Sequence, residues 1–264
     1  MKKLFSLFMM GILLIGILAA CGTGAKKETE QKAAEGADTE TKVLTMGTSA
    51  DYKPFEYIDT AKGDKPIGID IEIAKTITDK LGYDLKINDM DFGGLIAALQ
   101  NGQVDFVMSA MSATDERRKS VDFSDIYYTS KHVIVSKKGS GIKTVADLEG
   151  KKVGAQLGSI QQDKANELAK ETPFTVDARN RIPELIQEIK VGRMDAAIIE
   201  DTSAKGYLDE NPDIESFTIE DTDGGFAIAF PKDSELTEKF NQELKTMIEN
   251  GEIDKIVKNY FDAK

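Results

Sequence analysis

The sequence predicts an α/β protein built as two lobes. Three observations predict it. From Val43 onward, short apolar runs of strand character alternate with longer segments whose apolar residues recur every three to four positions; such alternation belongs to α/β folds with mostly parallel sheets. The alternation runs for about 90 residues, passes a hinge-like stretch and restarts, which suits two compact units better than one wide sheet. No period of the solenoid kind is present.

VLTMGTS, from Val43, reads as the first strand. Ile73, Ile77 and Leu81 then fall at helical spacing, and Gly82 provides a C-terminal stop for a helix beginning at Ile69. Tyr83, Leu85 and Ile87 alternate as in a strand; Leu95, Ile96 and Leu99 mark a helix that ends near Gly102, and VDFVMSAMS returns to strand. In the second run, Lys152 to Ala155 reads as strand and Ser159 to Lys170 as helix. Pro183 can open another helix, with Leu185, Ile186 and Ile189 on one face, and Met194 to Glu200 reads as a buried strand. The C-terminal helices carry Leu236, Phe240, Leu244, Ile253, Ile256 and Tyr260.

The N-terminus points outside the cytoplasm. Lys2 and Lys3 precede an apolar run from Leu4 to Leu18 that is short for a membrane span and flanked like a secretory signal peptide, residues 1–20. The run ends in Leu18-Ala19-Ala20-Cys21, a bacterial lipobox in which the Cys21 thiol takes a diacylglyceryl group; palmitate-type acylation with two chains anchors stably. Residues 21–42 lack aromatic and bulky apolar side chains and read as a lipid-anchored flexible linker with a reach of about 25 Å.

Composition narrows the chemistry. Cys21 is the only cysteine and His132 the only histidine, so no disulfide framework, zinc site or Ser-His-Asp machinery is expected, and no cofactor or metal. The net charge is −12, and loss of residues 1–20 removes Lys2 and Lys3 but no acid. So acidic a chain repels nucleic acid and anionic lipid.

Four clusters carry the functional signal. SADYKPFEY, Ser49 to Tyr57, follows the first strand, where open α/β sheets bind ligands, and offers Tyr52 and Phe55 as flat faces; by residue type alone these aromatics serve equally well as core. In SAMSATDERRKSVDFSDIYY, Thr114 is an N-cap candidate and Arg117 lies in the first helical turn, where a cation opposes the helix dipole; this hints at an anionic partner, although DERRK alone reads as a solvated face. In VGAQLGSIQQD, a strand meets Gly158-Ser159 and a helix start with free N–H groups, a weak sign of carboxylate binding. In GRMDAAIIEDTSA, Glu200 ends an apolar strand, where it could meet an ammonium or simply cap a helix.

Taken together, the Gly-x-Asp block IGIDIEIAK, the stretch DFGGLIAALQNGQVDFVMSAMSATDERRKSVDFSDIYY, VGAQLGSIQ and GFAIAFPKDSEL resemble the polar amino-acid-binding proteins of ABC transporters, the family 3 solute-binding proteins, from about Val43 to Phe261. MGTSADYKPFEY and DAAIIED are similar to the arginine-binding lipoproteins of Gram-positive bacteria. The resemblance implies a two-lobed, type II periplasmic-binding-protein-like fold with two hinge crossover strands, near Tyr128 to Ser136 and Gly224 to Phe230. Residues 43–130 and 223–264 would form lobe 1 and residues 131–222 lobe 2.

By the same resemblance, Arg117 matches the arginine that clamps the ligand carboxylate, Glu200 the acid on its ammonium, and Ser112 a contact to either group. Ala110 matches a position that acts through its carbonyl, Ile160, after Ser159, a backbone donor, and Tyr52 and Phe92 the aromatics about the ligand side chain. Asp51 or Glu56 could supply an acid for a basic side chain; Ser49 stands where some relatives that bind basic amino acids carry an acid.

The expectation is therefore a monomeric, non-enzymatic binding protein on the extracytoplasmic face of the cell membrane. It binds a free polar amino acid, arginine or another basic one, by hinge closure and delivers it to an ABC permease. Glutamine or cystine binding is the alternative. A dehydratase-type enzyme on this fold would need a pocket general acid, for which Glu200 is the candidate, and a sensor domain would need an attached membrane segment.

Overall fold

The computed structural model describes residues 42–222 and 224–262. The signal peptide, Cys21 and nearly all of the linker expected from the sequence lie outside the described residues. No helix among the described residues is long and apolar enough to cross a membrane.

In chain order the first part contains β1 (Val43–Thr48), β2 (Asp51–Tyr52), β3 (Glu56–Ile58), β4 (Pro66–Ile67), α1 (Ile69–Lys80), β5 (Asp84–Asp89), α2 (Leu95–Gln100), β6 (Phe106–Val107), α3 (Asp115–Arg118) and β7 (Val121–Phe123). The middle holds β8 (Lys131–Lys137), β9 (Lys152–Gln156), α4 (Ile160–Glu171), β10 (Thr175–Arg179), α5 (Ile182–Lys190), β11 (Ala196–Glu200), α6 (Asp201–Glu210) and β12 (Ile214–Thr222). β13 (Ala229–Pro231), α7 (Glu235–Glu249) and α8 (Glu252–Asp262) close the chain.

Two five-stranded sheets result, in the orders β5-β1-β6-β13-β7 and β10-β9-β11-β8-β12, each with its own helices: a two-lobed α/β fold. Both sheets are mixed rather than mostly parallel. β1 lies parallel to β5 and β6, and β9 to β10 and β11, because each pair is joined through a helix. β8 and β13, the strands that follow the passages between lobes, enter antiparallel to their neighbours.

The local reasons are those of the sequence. Ile69, Ile73 and Ile77 of α1 are fully buried, and Gly82 follows the helix with φ +75°. The hydroxyls of Thr114 and Ser159 accept N–H bonds at the starts of α3 and α4. Leu185, Ile186 and Ile189 of α5 face the second sheet, and Phe106, Phe230 and Phe240 pack in the first. Burying each such side chain contributes about 1.5–3 kcal/mol.

The chain passes between sheets at residues 124–130 and again before β13. The two passages pair with each other: the Phe226 N–H donates to the Tyr128 carbonyl (2.8 Å) and the Tyr127 N–H to the Phe226 carbonyl (2.9 Å). Phe55 packs edge-on against Tyr128 and Phe226, so an aromatic knot lies at the passage. The first passage ends sooner than the expected Tyr128 to Ser136, since residues 131–136 already belong to β8 of the second sheet.

Candidate functional site

Loops at strand ends of the two sheets meet around a small, largely closed cavity of about 10 Å³, lined mostly by polar residues. The first lobe supplies Ser49 and Tyr52 after β1, Glu56 in β3, Phe92 after β5, and Ser109 and Ala110 after β6. The second lobe supplies Gln156 at the end of β9 and Ser159 and Gln161 at the start of α4.

The floor is a chain of hydrogen bonds. The Ser49 N–H donates to Ser109 Oγ (3.0 Å), whose hydroxyl donates to Glu56 Oε1 (2.9 Å). Asp70 lies behind them, accepting the Ala110 N–H at 2.7 Å and the Tyr127 hydroxyl at 2.8 Å. Burial, and then the charge of Asp70, push the Glu56 carboxyl well above its usual range; burial raises Asp70 to about 6. Two carboxyls packed together without a cation hold one negative charge between them more readily than two.

Arg117 stands at the rim between the lobes. Its Nη1 donates to the Ser112 carbonyl at 2.8 Å and its Nη2 to the Gly158 carbonyl of the second lobe at 3.1 Å. The guanidinium lies 5.4 Å from the centre of the Phe92 ring, one of the cavity walls. No carboxylate among the described residues forms an ion pair with it, and burial lowers its pKa to about 10. In the second lobe, the N–H groups of Ile160 and Gln161 lie in the first turn of α4, where no carbonyl of the helix itself can accept them.

Glu200 is fully buried at the junction of β11 and α6, where its two oxygens accept the N–H groups of Thr202 (2.8 Å) and Ser203 (2.7 Å). Burial raises it to about 8, and these two bonds offset part of the rise. The capping role weighed from the sequence is thus present.

A second set of contacts joins the lobes beside the cavity. Asp51 Oδ2 accepts the Ile182 N–H at 2.6 Å, and the Asp51 carbonyl accepts the Tyr207 hydroxyl at 2.6 Å. Arg181, just before α5, holds Asp89 and Asp91, each at 2.9 Å, with Asp51 at 3.7 Å. Lys53 and Glu210 close the outer edge at 2.7 Å. Burial raises Asp51 to about 6 despite these partners.

Of the residues singled out in the sequence, the structure gathers Ser49, Tyr52, Phe92, Ala110 and Ser159 on the cavity wall. Ser112, Arg117 and Ile160 adjoin it through the contacts given above. Glu200 is engaged in its cap, and Asp51 faces the other lobe. Sequence reasoning passed over Ser109, Gln156, Gln161, Asp70 and Arg181. The first three are neutral polar residues whose only sign is their place at a strand or helix end. Arg117 opposes no helix dipole, because α3 is a single turn with no separate ends.

Comparison with known proteins follows the same lines. Residues 44–263 match the bacterial extracellular solute-binding proteins, family 3. The chain is 50% identical, over the full length of both, to the arginine-binding extracellular protein ArtP of Bacillus subtilis (strain 168). Among solved structures, it is similar to the substrate-binding protein of an amino acid ABC transporter (TM-score 0.78, 41% identity, 83% of this chain and 99% of that one). It is also similar to an ancestral arginine-binding protein bound to arginine (TM-score 0.77, 40% identity, 83% and 98%).

Proposed function

We propose that this chain, which belongs to family 3 of the bacterial extracellular solute-binding proteins, captures free arginine, or another amino acid with a cationic side chain, for an ABC importer. It is a binding protein and not an enzyme, like the relatives it matches.

One observation carries the reading. Arg117 presents a guanidinium at the rim of the cavity, held by carbonyls of both lobes, with no ion-paired carboxylate among the described residues. A cation so placed lacks its anion, and the α-carboxylate of a free amino acid supplies one with matching bidentate geometry. The N–H groups of Ile160 and Gln161 serve the same carboxylate from the second lobe. Glu200 takes the α-ammonium. Tyr52 and Phe92 face the ligand side chain, and the Glu56–Asp70 pair provides negative charge beneath it. Since the partners lie on both lobes, ligand favours the closed arrangement through contacts that an open one lacks. Residues 43–130 with 223–264 form one moving body in this reading, and residues 131–222 the other.

The arginine assignment is supported by the full-length relative and by the aromatic and acidic character of the cavity. Glutamine is the second reading, favoured by the neutral Ser49, Gln156 and Gln161 on the cavity wall. We further infer that the mature protein is a monomer held to the membrane by acylated Cys21, with residues 22–42 as tether to a domain that docks on the permease.

A thermal-shift screen with the twenty common amino acids, ornithine, citrulline and cystine tests the ligand. Arginine should give the largest shift, corresponding to about 2.7 kcal/mol at 100 times its dissociation constant. A larger response to glutamine reassigns the ligand, and no response to any amino acid removes the reading.

A further inference from the structure

We propose that Asp70 is a positioning residue for ligand binding: its carboxylate holds the Ala110 peptide in a left-handed turn that shapes the cavity wall. The inference rests on the ligand-binding reading above. It gives Asp70 of the Gly-x-Asp block a role beyond the negative charge that it shares with Glu56 in that reading.

Ala110 has φ +43° and is one of two non-glycine residues with positive φ among the described residues, the other being Asp233. Alanine adopts this conformation at a cost, and it has no polar side chain with which to offset that cost locally. Strain of this kind persists only where the surroundings impose it, and it gathers at functional sites. Ala110 is such a site, since it lines the cavity next to Ser109.

Asp70 is what imposes the conformation. Its Oδ2 accepts the Ala110 N–H at 2.7 Å, a short charge-assisted bond, and the residue is fully buried. The carboxylate is oriented in turn by the Tyr127 hydroxyl, 2.8 Å from both oxygens, and by its place in the first turn of α1, where the helix dipole favours an anion. Gly68 allows that placement: it has φ +138°, and a Cβ there would lie 2.0 Å from the Phe55 carbonyl oxygen. Release of Ala110 to negative φ would rotate its peptide and shift both its carbonyl and the Ser109 hydroxyl that links Ser49 to Glu56.

The test is a cycle of Asp70→Asn and Ala110→Gly, read by arginine calorimetry and by a crystal structure of Asp70→Asn. Glycine occupies positive φ without strain, so it removes the need for the clamp. Asp70→Asn should weaken arginine binding by about tenfold in the native background, and by no more than about threefold in the Ala110→Gly background. The crystal structure should show Ala110 at negative φ. A tenfold loss in both backgrounds would mean that Asp70 acts through its charge or through the fold and not through Ala110, and overturns the proposal; so does an Asp70→Asn structure with Ala110 still at positive φ. If Asp70→Asn does not fold, Tyr127→Phe replaces it in both measurements, with a smaller loss of about threefold that glycine again suppresses. Failure of the wild type to bind arginine would sink the functional reading instead, and the Ala110 conformation in the variant would still decide this one.

Discussion

Arg117 bridges the cleft: its Nη2 donates to the Gly158 carbonyl of the second lobe at 3.1 Å while its Nη1 holds the Ser112 carbonyl of the first at 2.8 Å. The guanidinium is thereby fixed in orientation by neutral carbonyls and forms no ion pair among the described residues, with Asp163 the one carboxylate whose charge acts on it.

Arg117→Ala should therefore nearly abolish amino-acid binding with the fold intact. Loss of one member of a desolvated charge pair costs about 2–5 kcal/mol, or about 30-fold to several-thousand-fold in affinity. Arg117→Lys should recover only part, because an ammonium cannot bind both carboxylate oxygens from a rigid fork. Arg118, exposed and lying 5.3 Å from the Phe123 ring, is the control. Titration calorimetry with circular dichroism decides; equal mild effects at both positions refute the clamp.

Glu200 leads to a proton-release prediction. Burial raises its carboxyl to about 8, which favours the protonated form at pH 7, whereas an ammonium beside it would favour the ionised form. Binding at pH 7 should release up to about one proton, and affinity should rise between pH 6 and 8. Calorimetry in buffers of different ionisation enthalpy measures the release. The stability of the unliganded protein runs the other way. A carboxyl raised from 4.5 to about 8 contributes stability that is complete below 4.5 and is lost as the pH rises through 8. The melting temperature without ligand should therefore increase as pH falls from 8 towards 5, with Asp51 and Asp70, each raised to about 6, acting in the same sense.

Glu56→Gln should reduce the preference for arginine over glutamine by about tenfold or more, since it takes an ionisable carboxyl from beneath the ligand side chain. Competition between the two amino acids for the variant gives the ratio directly. An unchanged ratio would exclude Glu56 from side-chain recognition.

Arg181 offers a test of closure apart from ligand contact. Its three carboxylate partners lie on the opposite lobe, and Asp89 and Asp91 are partly solvated, so each pair is worth only about 0.2–1 kcal/mol. Arg181→Ala should weaken all ligands alike by about fivefold, through faster dissociation, and leave their rank order unchanged. Surface plasmon resonance with two ligands distinguishes this from a change in specificity.

Cys21→Ala should release the protein from cells or block its maturation, since no other thiol can take lipid. Fractionation of cells and medium reads the outcome, and a processed variant still bound to membranes contradicts the anchor.

Much of this was legible in advance because it depends on short-range periodicity. Ile69, Ile73 and Ile77 repeat on one helical face, Ser159 caps a helix, and Glu200 closes a run of buried apolar residues. Asp51 was not legible: its sequence neighbours Ser49 and Tyr52 line the cavity, yet its own carboxylate meets the N–H of Ile182, 131 residues away. Arg181 sits in an unremarkable polar stretch, and all three of its acids come from the other lobe.

The sequence by itself determined the compartment expected for the protein, the α/β alternation and its restart as a second run. Those properties reside in composition and local period, which fold with the nearest neighbours. Only the tertiary structure decided that Arg117 forms no ion pair among the described residues, that the Asp70 carboxylate meets the Ala110 N–H, and that Asp51 and Arg181 join the lobes. Such properties depend on which distant groups desolvate one another when two sheets close on a common cleft, and no local pattern encodes that.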